Sequence, residues 1–169
     1  AFYQSNQPRW ESLHPIATLG VLYEITGKQC YYDALIRIWD GIAENDLHNF
    51  GGFGTEESAQ GKPYIGGSET CNTIAWMALS TEVLRLSRRS DVADELERSY
   101  WNAAFGSMVG DYWFAYMNNM SGKQVSAGDV LRDHGFTGGK EMSCCQSNGS
   151  RGISMVSDWA LLSEKDGFT

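Results

Sequence analysis

The chain has 169 residues, with 13 Lys and Arg against 21 Asp and Glu for a formal net charge of -8, and 42% apolar, 12% aromatic and 20% charged residues. That is a globular composition. It argues against a disordered tail, a collagen-like fibre or a coiled coil, and its acidity argues against nucleic acid or an anionic membrane surface as partner.

Along the chain, Ile16, Leu19, Leu22, Tyr23 and Ile25 recur at helical spacing and Gly27 follows as a stop, which predicts a helix over residues 14–26. A second helix is predicted over 31–42, with Leu35, Ile38, Trp39 and Ile42 on one stripe. The connection is so short that the two should be antiparallel neighbours. Residues 47–68 hold Gly51, Gly52, Gly54, Gly61, Pro63, Gly66 and Gly67 among polar residues. They read as a loop, longer than compact domains usually carry and so of the functional kind. From Thr70 the helical pattern resumes through Ile74, Met77, Ala78, Val83, Leu84 and Leu86. After a polar turn at 87–90 it continues through Val92, Leu96, Tyr100, Ala103 and Ala104. The two hairpins share Asp-x-Leu-x-Arg, at Asp33, Leu35, Arg37 and at Asp94, Leu96, Arg98, which suggests repeated helical units. Residues 112–117 read as an extended aromatic segment, 125–143 as a second glycine-rich loop and 150–162 as a last helix. No apolar run reaches the roughly eighteen residues of a membrane-spanning helix. The expected class is all-α, helical hairpins with one or two short strands, the chemistry carried on long loops over a rigid scaffold.

Cys30, Cys71, Cys144 and Cys145 are too sparse for a disulfide-stapled scaffold, and a bridge between the adjacent pair would be strained. Glu69 and Cys71 stand two apart at a helix start, and Cys144-Cys145 approach from a distant loop end. One carboxylate and three thiolates suit a borderline-soft cation such as zinc. The plainer alternative is that Cys71 is a core residue and Cys144-Cys145 are buried small apolar groups. Glu56 and Glu57 lie on the glycine-rich loop, where a carboxylate can reach a cleft as general acid or base, or simply be solvated. His14 precedes Pro15 at a helix start and either faces a cleft or bonds local backbone; His134 reads as a surface-loop residue. Residues 112–116 are a sugar platform or a buried strand. Neither a Gly-x-Ser-x-Gly elbow, a Walker A loop, a dinucleotide fingerprint nor HExxH is present.

Together these segments resemble one family. ESLHPIATLGVLYEITGKQCYYDALIRIWD is similar to the Leu-His…Tyr-Glu-Leu-Thr-Gly…Trp-Asp region of the β-L-arabinofuranosidase family of glycoside hydrolases, family 127 and its relatives. GGFGTEE resembles its Gly-Gly loop bearing a catalytic Glu, and SETCNTIAWMALSTEVLRLSRRSDVADELERSYWNAAFG its Glu-Thr-Cys helix and following helix. FAYMN is similar to its Phe-Phe-Tyr-x-Asn strand and SCCQSNGSRGI to its Cys-Cys-Pro-x-Asn segment. The match runs in order over nearly the whole chain. It departs at Lys62-Pro63-Tyr64-Ile65-Gly66-Gly67, which replaces a Pro-Asn element, and at Gln146, which replaces Pro.

The resemblance implies zinc held by Glu69, Cys71, Cys144 and Cys145, with Cys144 as nucleophile. It implies a loop Glu as acid/base, Glu57 by counting from Gly51 and Glu56 as the near alternative. His14 and Tyr116 match positions near the substrate. The implied activity is release of L-arabinofuranose from non-reducing ends of a glycoside by a retaining mechanism. The alternatives are a same-fold hydrolase for another plant-polysaccharide sugar, or a non-catalytic carbohydrate-binding or scaffold protein with structural zinc. The implied fold is an (α/α)6 toroid, of which residues 1–169 would be a part, with a β-sandwich domain beyond residue 169. A half toroid would leave apolar helix faces uncovered. Together with an N-terminus that lacks both Met and an apolar leader, this leads us to expect a longer intact protein. A homodimer would form through segments outside this chain. Reduced thiolates suit a cytoplasm, although metal-bound cysteines also persist in a periplasm or outside the cell.

Overall fold

The computed structural model describes residues 1–61, 66–110, 113–119, 121–126, 143–165 and 167–168. Tyr112, His134, the 62–65 departure from the family pattern and most of the second glycine-rich loop lie outside the described residues.

The all-α class holds. The first hairpin is α1 (Trp10–Thr26) and α2 (Gln29–Asn45), closed by the ring of Tyr23 against Tyr32 at 5.3 Å. The second is α3 (Thr70–Ser87) and α4 (Ser90–Arg98). α4 runs on into a π-helical turn, Ser99–Ala104, and a 3-10 turn, Phe105–Ser107. Helices α5 (Cys144–Ser154) and α6 (Val156–Trp159) follow. None is long and apolar enough to cross a membrane among the described residues.

α3 is the central element. It is buried on nearly every face from Thr70 to Leu84, as expected of a helix enclosed by others rather than lying on a surface. Trp76 on α3 stacks on Trp39 of α2 at 5.2 Å, and the Trp39 indole N–H donates to Ser80 Oγ at 2.9 Å. Phe53, from the first glycine-rich loop, also stacks on Trp76, at 6.3 Å, and fixes that loop to the core. Each large ring of this kind contributes about 3–5 kcal/mol relative to Ala. The outer face of α1 leaves Val21, Leu22 and Ile25 exposed.

Two helix starts differ from the sequence expectation. α1 begins at Trp10, a turn before Pro15, which sits inside the helix. A proline disfavours helix in the residue before it. Here that is overridden by burial, since Trp10 packs against Cys71, Tyr116 and Cys145. α5 begins at Cys144 rather than near residue 150, with Ser143 Oγ accepting from the Gln146 N–H as its cap. Gly152 lets α5 approach α3 closely: a Cβ there would lie 2.1 Å from Ile74 Cδ1.

Seven strands of two or three residues, more than the one or two expected, lie among the described residues. β1 (Gly67–Glu69), β4 (Met117–Asn119) and β5 (Gln124–Val125) form an antiparallel sheet in the order β1-β4-β5, with Glu69 opposite Met117. The expected segment over 112–117 is therefore split between β3 (Trp113–Phe114) and β4. β2 (Met108–Val109) pairs with β3, and β6 (Ser163–Glu164) with β7 (Gly167–Phe168). These strands are too short to stand alone. They serve to bring the loops onto the end of α3.

Candidate active site

Glu69 ends β1 and caps α3, so its side chain leaves the sheet where the helix begins. Cys71 follows in the first turn. The Thr70 N–H donates to the Tyr116 carbonyl at 2.9 Å and its hydroxyl to the Ala115 carbonyl at 2.8 Å, which fixes this turn against the strand segment. Cys144 and Cys145 open α5, which lies along α3 through Gly152.

The result is one cluster. Donor atoms of Glu69, Cys71, Cys144 and Cys145 all lie within 4.8 Å of one another. The Cys71 and Cys145 sulfurs are 3.3 Å apart, and the Cys145 and Cys144 sulfurs lie 3.6 and 4.0 Å from Glu69 Oε1. Glu69, Cys71 and Cys145 are buried and Cys144 is exposed. Asn148, one turn along α5, donates from Nδ2 to Cys71 Sγ at 3.2 Å.

The electrostatics follow from crowding. Burial pushes the Glu69 carboxyl up to about 8, and the charges of Cys144 and Glu57 push the same way. Cys144 is held well below the usual thiol range because it accepts hydrogen bonds from the Cys145 and Cys71 thiols and from backbone N–H groups at the start of α5. Cys145 and Cys71 are pushed up, first by donating to Cys144. Without a cation the cluster tolerates little negative charge.

A cation fits it. The ligands of a tetrahedral zinc with Zn–S of roughly 2.3 Å stand about 3.7 Å apart. The separations of 3.3, 3.6 and 4.0 Å bracket that value. Glu69 Oε2 is buried without a hydrogen-bond partner among the described residues, an orphan that a metal or its surroundings would satisfy. This group could therefore hold a metal ion.

The two loop carboxylates diverge. Glu56 has a left-handed φ of +53°, rare and strained for a residue other than glycine. Its backbone stitches the loop to β1 and α3: the N–H donates to the Gly67 carbonyl, and the carbonyl accepts from the Glu69 N–H at 3.0 Å and Asn72 Nδ2 at 3.1 Å. Its side chain is exposed. Glu57 instead accepts from the Tyr116 hydroxyl at 2.7 Å and pairs with Arg9 at 3.4 Å. Burial, and then donation to Glu57, push the Tyr116 phenol up, so it remains a donor. The Tyr116 carbonyl meanwhile stands 3.7 Å from Cys145 Sγ, so one residue touches both the carboxylate and the thiol cluster.

His14 is exposed on α1, with its ring edge-on to Trp10 at 5.7 Å. Partial burial depresses its pKa, and the charge of Arg151 on α5 adds to this. Arg9 and Trp10 carry no signal that singles them out in the sequence. Asn148 is the Asn of the segment resembling Cys-Cys-Pro-x-Asn, and with Cys144 helical the two stand four apart on one face.

The sequence matches the model of the β-L-arabinofuranosidase GH127 catalytic domain over residues 5–158. No curated protein matches the chain. Among solved structures, a glycoside hydrolase superposes with TM-score 0.70 at 19% identity, covering 96% of this chain and 32% of that one. The Lin0763 protein from Listeria innocua superposes with TM-score 0.57 at 13% identity, covering 96% of this chain and 49% of that one. At these identities the likeness establishes the fold, and the chain spans about a third of the first structure's length. With helical hairpins throughout and a family match over all but its ends, the chain belongs to the family of GH127 β-L-arabinofuranosidase catalytic domains.

Proposed function

We propose that the chain carries the catalytic machinery of a retaining glycoside hydrolase that releases L-arabinofuranose from non-reducing ends. In this reading Cys144 is the nucleophile, Glu57 the acid/base, and Glu69, Cys71, Cys144 and Cys145 hold zinc. The observation that carries it is the bridge made by Tyr116, whose hydroxyl engages Glu57 while its carbonyl lies against Cys145 in the thiol cluster. A purely structural metal site has no need of a carboxylate held beside it.

Zinc, when bound, would neutralise the crowded anionic donors and keep the cysteines as thiolates at neutral pH. The remaining chemistry belongs to the chain. Cys144 is the exposed member of the cluster, so its sulfur is the one a substrate can reach. It attacks the anomeric carbon, forming a C–S bond as the bond to the departing glycoside oxygen breaks. Glu57, protonated, gives its proton to that oxygen. In the second step the Glu57 carboxylate takes a proton from water, the water oxygen bonds to the anomeric carbon, and the C–S bond breaks to restore Cys144. The Tyr116 hydroxyl orients Glu57 throughout. The same geometry favours Glu57 over Glu56, whose backbone, not its carboxylate, is engaged.

The test combines zinc quantification, an aryl arabinofuranoside assay beside a panel of other aryl glycosides, and mass spectrometry for a sugar adduct on Cys144. Turnover with an adduct that disappears in Cys144→Ala supports the reading. Turnover of a different sugar alone shifts the substrate. One bound zinc with no turnover of any glycoside identifies a scaffold with a structural metal.

A further inference from the structure

A polar cavity of about 460 Å³, apart from the thiol cluster, lies among Asn49, Phe50, Asn102, Asn118 and Asn119. It is in the size range of small-molecule sites. Its position is set by the same two strands that present Glu69. Glu69 pairs with Met117 at one end of β1–β4, and Ser68 and Gly67 pair with Asn118 and Asn119 toward the other. At roughly 3.3 Å per strand residue, Asn119 stands about 7 Å along β4 from Met117.

Several features show a built site. Asn118 is only 8% exposed. Its Nδ2 donates to the Ala103 carbonyl at 3.4 Å, which holds the side chain at the cavity's edge. The neighbouring carboxamide and ring are seated on bare backbone. A Cβ on Gly67 would lie 2.1 Å from Asn119 Oδ1, and one on Gly52 would lie 2.7 Å from the Phe50 ring. Asn102 is presented by the π-helical turn, a form of helix frequent at functional sites.

The lining chemistry selects the ligand. Four carboxamides and one aromatic ring supply paired donors and acceptors and an apolar face, with no charged side chain among the described lining residues. A phosphate or carboxylate would call for Arg or Lys, and a hard cation for carboxylates. An apolar ligand would leave the amides unmet. A neutral ring bearing hydroxyl groups satisfies both the amides and the Phe50 face.

We propose that this cavity is a second glycan-binding site for one neutral glycosyl unit. The amides of Asn49, Asn102 and Asn119 pair with its hydroxyls, with Asn118 at the rim, and Phe50 lies against its ring. The choice of arabinose as probe rests on the functional reading above; the cavity assignment does not. The unit is either a free sugar or a distal residue of a glycan whose other end reaches Glu57.

The experiment is isothermal titration of the protein, carrying Glu57→Gln to prevent turnover, with L-arabinose, with an arabino-oligosaccharide of several units, and with inorganic phosphate. Asn49→Ala and Asn102→Ala, both at exposed positions, are titrated in parallel in the same background. Sugar binding weakened about tenfold by either substitution, with phosphate inert, supports the site. Weakening seen with free L-arabinose marks a free-sugar site, and weakening confined to the oligosaccharide marks a distal-residue site. Sugar titrations that superimpose with and without the asparagines, or no sugar binding at all, overturn the proposal, as does phosphate binding that depends on them. Absent hydrolysis by the protein that keeps Glu57, with asparagine-dependent binding intact, would sink the hydrolase reading alone. Turnover with unaffected titrations would sink the cavity assignment alone.

Discussion

Gly152→Ala tests whether the approach of α5 to α3 is what brings the cysteines together. The new methyl carbon would lie 2.1 Å from Ile74 Cδ1, 2.9 Å from Cγ1 and 3.2 Å from Cγ2. Against the roughly 3.5 Å of a comfortable carbon–carbon contact, the shortfall at Cδ1 is about 1.4 Å. A rotamer change of Ile74 does not relieve it, because three atoms of the side chain are crowded and Ile74 is fully buried. The helix must therefore move, and Cys144 and Cys145 move with it, away from Cys71. Overpacking of this kind costs about 1–3 kcal/mol. For a chain of this length that is a fall in Tm of roughly 2–12 °C. Zinc affinity, measured by competition with a chromophoric chelator, should drop about tenfold or more, as when the support of a metal ligand is disturbed. Adding Ile74→Val removes the Cδ1 methyl and should restore both quantities in part, a positive coupling between contacting positions. A Gly152→Ala protein that melts and binds zinc like its parent would refute the argument that this contact sets the cluster.

Glu57→Gln should lower turnover of an unactivated glycoside by about 10²–10⁴-fold, with partial recovery on substrates bearing good leaving groups, while Glu56→Gln leaves steady-state rates within a few-fold. Tyr116→Phe removes a 2.7 Å bond to a carboxylate and should lower kcat by roughly 10-fold or more with little change in zinc content, as read by assay and metal analysis. Stripping the metal should lower Tm by roughly 5–10 °C, the shift expected when about 2.7 kcal/mol of ligand stabilisation is lost. Readdition of zinc should reverse it in the parent and not in Cys71→Ser. Burial holds the His48 pKa below its unfolded value, so the unfolded chain takes up the proton first as pH falls. Urea stability should be full above about pH 6.5 and decline below it. In His48→Gln, which keeps a donor for the Gly54 carbonyl, that part of the slope should be gone.

The hairpins were legible because α2, α3 and α4 keep apolar residues at helical intervals, whatever their final surroundings. The start of α5 was not. Ser143, Cys144, Cys145, Gln146, Ser147, Asn148 and Gly149 include few strong helix formers, and what holds them helical is tertiary: a Ser143 cap, the close fit against Ile74, and Gln146 Oε1 accepting from the Phe114 N–H at 3.0 Å. The strands were equally hidden, since two or three residues carry no period. For the site, residue types and spacing offered Glu69, Cys71, Cys144 and Cys145 as donors beside the plainer reading of buried thiols, and left Glu56 and Glu57 open. The backbone sets those two apart: the left-handed turn at Glu56 spends that residue on main-chain bonds, while the Glu57 carboxylate accepts from Tyr116. Arg9 and Trp10 were missed because Pro15 suggested a later helix start.

Cys71 and Cys145 meet across 74 positions of sequence, and Tyr116 reaches Glu57 across 59. No stretch emerging early from a ribosome contains more than part of the donor set, and bringing the parts together carries a loop-closure cost that only the finished helical packing repays. During synthesis, then, Glu69 and Cys71 wait beside α3 as an incomplete pair until Cys144 and Cys145 arrive. An ion held by all four groups would therefore be captured after the helices pack rather than seed their packing.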